Sequence, residues 1–201
     1  MDVLTQVKKN KKNYELIING NKRLIVSSKI FYSLHLKEEQ EIDLKQVLPK
    51  VRSLQEKEAL QRAIYMLSLQ DRCEMEIIKF LKKQHYADSI IKYVLDRLKS
   101  LSLLDDKRYI ERHISNRLAT GYGEQRIIVD LIKKGFNKST IESALQNGIY
   151  EEEAFSRAVE YAKKYSERFD TLDYNNKQKI KMALIRRGFS YDIANKALDK
   201  I

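Results

Sequence analysis

Residues 123–145 read Gly-Glu-Gln-Arg-Ile-Ile-Val-Asp-Leu-Ile-Lys-Lys-Gly-Phe-Asn-Lys-Ser-Thr-Ile-Glu-Ser-Ala-Leu. Ile127 and Leu131 stand four residues apart and so share one face of a helix, the face that seeks a core. Lys133 and Lys134 follow in the last turn, where cations suit the helix dipole, and Gly135 is placed to cap the end in a left-handed conformation. Phe136 then returns the chain to the core. A second helix is expected from Ser139 to Gln146, with Ile141 and Leu145 facing inward.

The same reading applies twice more without gaps. Cys73 to Leu95 matches at a shift of 50 residues, and Asn176 to Leu198 at a shift of 53. Equivalent positions keep their physical type: Ile77, Ile127 and Ile180; Leu81, Leu131 and Leu184; Tyr86, Phe136 and Phe189; Leu95, Leu145 and Leu198. The polar pair before the cap is Lys83-Gln84, Lys133-Lys134 or Arg186-Arg187, and the cap itself is His85, Gly135 or Gly188. Upstream of each copy lies a further amphipathic helix, over Glu56–Leu69, Arg108–Leu118 and Glu153–Tyr165. Each unit is therefore three helices. The expected fold class is mainly α: a tandem array of three three-helix repeats, elongated and curved, because units of about 50 residues bury little surface alone and stack on their neighbours.

The first 50 residues read differently. Tyr14–Ile18 and Lys22–Val26 flank Asn19-Gly20, a β-hairpin signal, since Asn-Gly tolerates the positive φ of a tight turn. A lone hairpin is marginal, so it should pack on something or recruit another strand. Ser28 is expected to cap a short helix reaching His35, with Lys37–Glu41 a solvated connection, Asp43 a cap and Pro49 a limit on the regularity of the next helix. The expected divisions are 1–50 for this hairpin-and-helix extension, then repeats over 51–104, 105–149 and 150–201.

Composition narrows the function. Lys plus Arg number 39 against 28 acidic residues, a formal charge of +11. Every segment is net positive, so the excess is no basic tail. It favours an anionic partner. One cysteine, Cys73, permits no intrachain disulfide, and no apolar run approaches a membrane span of about 18 residues. No basic start followed by an apolar stretch marks a secretory signal. The expectation is a cytoplasmic, monomeric protein that makes no membrane contact.

The sequence offers little chemistry. There is no Gly-rich loop ending in Gly-Lys-Ser/Thr, and Gly121-Tyr122-Gly123 reads as a positive-φ turn followed by a helix start. His35, His85 and His113 lack metal-ligand spacing. Asp105-Asp106 reads as a cap for the helix beginning near Lys107. No cofactor, metal or catalytic role is expected. The candidate binding residues are basic, with two tyrosines among them. They are Arg72, Lys82 and Lys83 in the first repeat, and Arg108, Tyr109, Arg117, Tyr122, Arg126, Lys133 and Lys134 in the second. The third supplies Lys179, Lys181, Arg186 and Arg187. Stacked in register, they would form a stripe that neutralises phosphates or acidic side chains, while Tyr109 and Tyr122 could stack on bases. The plainer alternatives are helix packing for Tyr109 and dipole matching for the basic pairs.

One block is distinctive: Leu103-Leu104-Asp105-Asp106-Lys107-Arg108-Tyr109, then Arg117, Gly121-Tyr122-Gly123, Arg126-Ile127, Leu131, Lys134 and Gly135. It resembles the RecX family, bacterial regulators of the RecA recombinase. Arg186-Arg187-Gly188-Phe189-Ser190-Tyr191-Asp192 resembles the C-terminal end of that family. Ala59, Leu67, Arg72, Glu76 and Leu81 extend the resemblance to the first repeat, so that it covers about 56 to 201. Cys73 and His85 depart from the serine and glycine usual there. The resemblance implies a protein that binds RecA filaments on single-stranded DNA, lies along the filament groove, and inhibits recombinase, ATPase and coprotease activity. Its partners would be the RecA filament and single-stranded DNA, with duplex DNA a further candidate. The competing reading is a DNA-binding transcriptional regulator with tandem helix-turn-helix-like units, which sequence-specific binding to naked duplex would reveal.

Overall fold

In a computed structural model that describes residues 2–11, 13–146, 151–167 and 174–201, the chain divides into two compact units, Met1–Asp105 and Asp106–Ile201.

The first unit begins with a four-stranded antiparallel sheet. The anticipated hairpin is there, as β2 (Asn13–Ile18) and β3 (Lys22–Ser27), and Asn19 and Gly20 at its turn have φ of +51° and +75°. Its marginal stability is relieved by recruitment: β1 (Asp2–Asn10) pairs along β2, and β4 (Gln40–Ile42) pairs with Asp2–Leu4, giving the order β3-β2-β1-β4. The stretch expected to be a solvated connection is therefore strand from Gln40 onward, because residues 2–4 supply a free edge to pair with. Leu4, Leu16, Ile18 and Val26 line the inner sheet face and pack on Ile30 of α1 (Ser28–Leu34) and on Val51. The cap of α1 is Ser27 rather than Ser28: its hydroxyl accepts from the Ile30 amide at 3.3 Å.

Helix α2 runs unbroken from Leu44 to Leu69, across the expected division at residue 50, with the Asp43 carboxylate capping it by accepting from the Lys45 amide at 2.9 Å. Pro49 sits in its second turn without ending it. The N-terminal half of α2 closes the sheet core through Val51 and Leu54. The C-terminal half presents Ala59 and Ala63 to a second core, formed with α3 (Glu74–Lys83) and α4 (Asp88–Ser100).

The second unit holds two further three-helix cores. One joins α5 (Asp106–Ala119), α6 (Glu124–Lys133) and α7 (Lys138–Gln146). The other joins α8 (Glu151–Ser166), α9 (Tyr174–Arg187) and α10 (Tyr191–Leu198). The aligned pairs Ile77/Leu81, Ile127/Leu131 and Ile180/Leu184 are fully buried, which is why the repeat is so regular. On α8, Ala154, Ala158 and Ala162 make a small-residue face that lets its partner helices approach closely.

The helix ends repeat as closely as the cores. After α6, the Gly135 amide donates to the Ile132 carbonyl and the Phe136 amide to that of Leu131, at 2.9 and 3.2 Å. Gly188/Phe189 and His85/Tyr86 make the same pair of bonds on Ile185/Leu184 and Lys82/Leu81. This is a left-handed cap that satisfies orphan carbonyls and turns an aromatic inward. His85 holds φ +63° where the other copies use glycine. Cys73, at the start of α3, is buried. Glu76 compensates for its weak capping by accepting from the Cys73 amide at 3.2 Å.

Candidate interaction surface

The polar pair before each cap divides by position. Lys83, Lys133 and Arg186, the first members, are exposed. The second members turn to the protein. The Gln84 amide oxygen accepts from Arg62 at 2.9 Å, Lys134 lies 5.4 Å from the centre of the Tyr109 ring, and Arg187 is half-buried. The geometry of the cap imposes this, since successive residues in a helix point about 100° apart.

Arg187 is the most heavily engaged of the candidates. Its guanidinium lies between two rings, 4.3 Å from the centre of Tyr122 and 4.6 Å from that of Tyr161. Nε donates to the Gly121 carbonyl at 3.0 Å and Nη2 to the Thr120 carbonyl at 2.6 Å. A planar cation thus caps the C-terminus of α5, which is where the dipole favours it. Arg117 approaches the same Tyr122 ring at 4.7 Å, and Arg117 and Arg126 flank the Asp130 carboxylate at 2.9 and 3.3 Å. Tyr122 is thus committed to two arginines.

The backbones meet at the same place. The Gly123 amide donates to the Arg187 carbonyl at 3.0 Å, and the Gln125 amide to that of Gly188 at 3.1 Å. The first turn of α6 so receives its acceptors from the last turn of α9, and each helix end satisfies the other. Gly121, with φ +75°, and Gly123, the N-cap of α6, form the positive-φ turn and helix start expected of them.

The remaining candidates are dispersed. Tyr109 stacks on His113 and Phe136 with ring centres 6.1 and 6.0 Å apart, the packing role that was its plainer alternative. Arg72 lies 3.4 Å from the Glu76 carboxylate, and Lys82 3.4 Å from that of Asp88. Lys181 sits 5.4 Å from the centre of the Tyr191 ring, and Lys179 donates to the Asn176 side chain at 3.1 Å. Arg108 is exposed on α5. Sequence reasoning missed Tyr161, which completes the sandwich from another repeat, and no local signal marks it. A polar cleft of about 300 Å³, lined by Thr120, Arg157, Tyr161, Lys164 and Arg187 among others, opens beside the sandwich. Glu160 and Lys164 pair across its rim at 2.7 Å, which holds the carboxyl below and the ammonium above their usual ranges. Among the described residues no group of His, Cys, Asp or Glu could hold a metal ion, and no helix is long and apolar enough to cross a membrane.

The fold and these contacts can be set beside known proteins. Two family models match, "RecX, first three-helix domain" over residues 59–98 and "RecX, third three-helix domain" over residues 151–198. A curated protein of Finegoldia magna named "Regulatory protein RecX" is 35% identical over 148 residues, which cover 68% of each chain. The chain belongs to the RecX family. A RecX regulatory protein of Clostridioides difficile is 27% identical over 206 residues, covering all of this chain and 96% of that one. The crystal structure of RecX from Lactobacillus salivarius superposes with a TM-score of 0.66 at 28% identity, over 74% of this chain and 99% of that one. A second RecX crystal structure, at a TM-score of 0.67 and 24% identity over 99% of this chain, shares the fold. The RecX proteins are named as regulators, and the three-helix units of the family are the units seen here.

Proposed function

We propose that this protein is a cytoplasmic, non-enzymatic regulator, mainly an inhibitor, of the RecA recombinase. It binds the groove of the RecA–single-stranded DNA filament and modulates ATP turnover, strand exchange and coprotease activity in recombination and the SOS response. The observation that carries the reading is membership of the RecX family across repeats that present an exposed cation, Lys83, Lys133 or Arg186, at the same place before each cap. The mechanism is steric and electrostatic. Contacts of modest strength made by several repeats at once reach high avidity on a polymeric partner, and a protein that bridges subunits resists the movements ATP turnover needs. A net charge of +11 hastens the encounter with a polyanion.

The test is the DNA-dependent ATPase of the recombinase with this protein titrated in. Inhibition that saturates, and weakens as salt is raised, is expected. An unchanged ATPase at saturating protein sinks the proposal. The regulator of transcription remains the competitor, and tight, sequence-specific binding to naked duplex DNA would favour it.

A further inference from the structure

Val129 and Met182 occupy the same position in the second and third repeats, and both are open to solvent, at 43% and 47% exposure. Each has a cation three residues before it and another four residues after. Arg126 and Lys133 flank Val129; Lys179 and Arg186 flank Met182. That spacing puts all three side chains of each set on one helix face. The four cations are exposed. In the first repeat the equivalent residues are Glu76, Lys79 and Lys83, so both the aliphatic centre and one cation are missing.

A single exposed aliphatic residue needs no explanation. Two of them at one repeat position, with the same flanking charges on helices joined end to end through Gly123–Arg187 and Gln125–Gly188, make a duplicated surface. Its chemistry distinguishes between partners. A single-stranded nucleic acid is held chiefly by cations on its phosphates and aromatic rings on its base faces, and neither set of three residues includes a ring. A protein surface that sets an apolar side chain between carboxylates satisfies all three positions. Arg126 shares the Asp130 carboxylate at 3.3 Å, while Lys133 and Arg186 stand exposed in the last turns of their helices, where an incoming carboxylate can reach them.

We propose that the outer faces of α6 and α9 are two equivalent docking half-sites for an acidic protein element that recurs in the partner, one copy on each of two neighbouring subunits of a homopolymer. This rests on the filament reading above, and it assigns the contact to protein rather than to DNA. Binding at one half-site raises the effective concentration at the other, so weak half-sites suffice.

The experiment compares the full-length wild type with Val129→Ser, Met182→Ser and the double variant, all checked for an unchanged thermal transition. Binding is measured to the RecA–single-stranded DNA filament and, separately, to single-stranded DNA alone. The double variant is expected to lose about tenfold or more of its filament affinity, each single variant less, as for truncated anchors at an interface. Affinity for bare DNA is expected to stay the same. A double variant that binds the filament as tightly as wild type overturns the inference alone. Equal losses on filament and bare DNA overturn it in favour of a nucleic-acid surface. A wild-type chain that does not bind the filament overturns the proposed function and this inference with it.

Discussion

Gly123 and Gly188 press against each other so closely that a Cβ on Gly123 would lie 2.3 Å from both the carbonyl carbon and the oxygen of Gly188. The contact is backbone on backbone, so no side chain can yield. From the other side, a Cβ on Gly188 would stand 2.4 Å from the Arg126 amide nitrogen, and Gly188 has φ +98°. Both glycines are thus fixed by the junction of α6 with α9.

It follows that Gly123→Ala and Gly188→Ala each destabilise the unit 106–201 by about 2–4 kcal/mol, through overpacking and, at Gly188, an unfavourable φ. Hydrogen exchange resolved along the chain is the check. Faster exchange is expected in α6 and α9, and unchanged protection there would mean the junction tolerates a methyl group.

Arg187→Lys keeps the charge but not the planar fork, so it loses one carbonyl bond and the fit between the Tyr122 and Tyr161 rings. A loss of about 1–3 kcal/mol is expected, against about 0.5 kcal/mol or less for Arg186→Lys, whose side chain is exposed. Urea unfolding of the two variants side by side separates them. Equal midpoints would show that Arg187 acts as a surface charge.

His85 sits where two sister repeats have glycine, at φ +63°. His85→Gly relieves the crowding of a Cβ in the left-handed region but adds freedom to the unfolded chain. The balance is a gain of about 0.5–1 kcal/mol for the unit 1–105. Calorimetry should place its transition higher; a lower one would mean that the imidazole makes a contact worth more than the strain.

Burial raises the Tyr86 hydroxyl well above the ordinary tyrosine value of 10.0, and the Glu58 charge raises it further, against a smaller opposing effect of Arg62. The folded chain keeps a proton there that the unfolded chain gives up. Stability from this group is therefore complete below pH 10 and falls as pH rises beyond it. Unfolding followed from pH 8 to 11.5 should show an alkaline decline that Tyr86→Phe reduces in part, since hydrogen bonding to Tyr32 raises Tyr14 in the same direction. A decline identical in both proteins would assign it elsewhere.

The repeat was legible because its cause is local. Ile127 and Leu131, Lys133, Gly135 and Phe136 meet their requirements within one turn and one cap, so periodicity and turn chemistry name them wherever they recur. The hairpin at Asn19-Gly20 was legible for the same reason. The strands at Asp2–Asn10 and Gln40–Ile42 were not, since each exists because the other, or the hairpin, offers an edge. Pro49 does not limit α2 as the local rule expects: Leu44 and Val47 before it, and Val51 and Leu54 after it, all pack on the sheet core, so the helix is anchored on both sides of the proline.

The candidate site shows the same division. Sequence alone determined that the chain is basic, helical and built three times over one pattern of Ile, Leu, cation and cap, because those features follow from composition and from spacings of three and four residues. Only the tertiary structure decided what each cation does. Arg186 and Arg187 are neighbours of the same type, yet one faces water and the other is held between Tyr122 of one repeat and Tyr161 of another, at 4.3 and 4.6 Å. The rings and carbonyls that hold Arg187 come from segments up to 67 residues away. No local rule reaches that far, because the contact is set by how the repeats pack and not by the residues beside it.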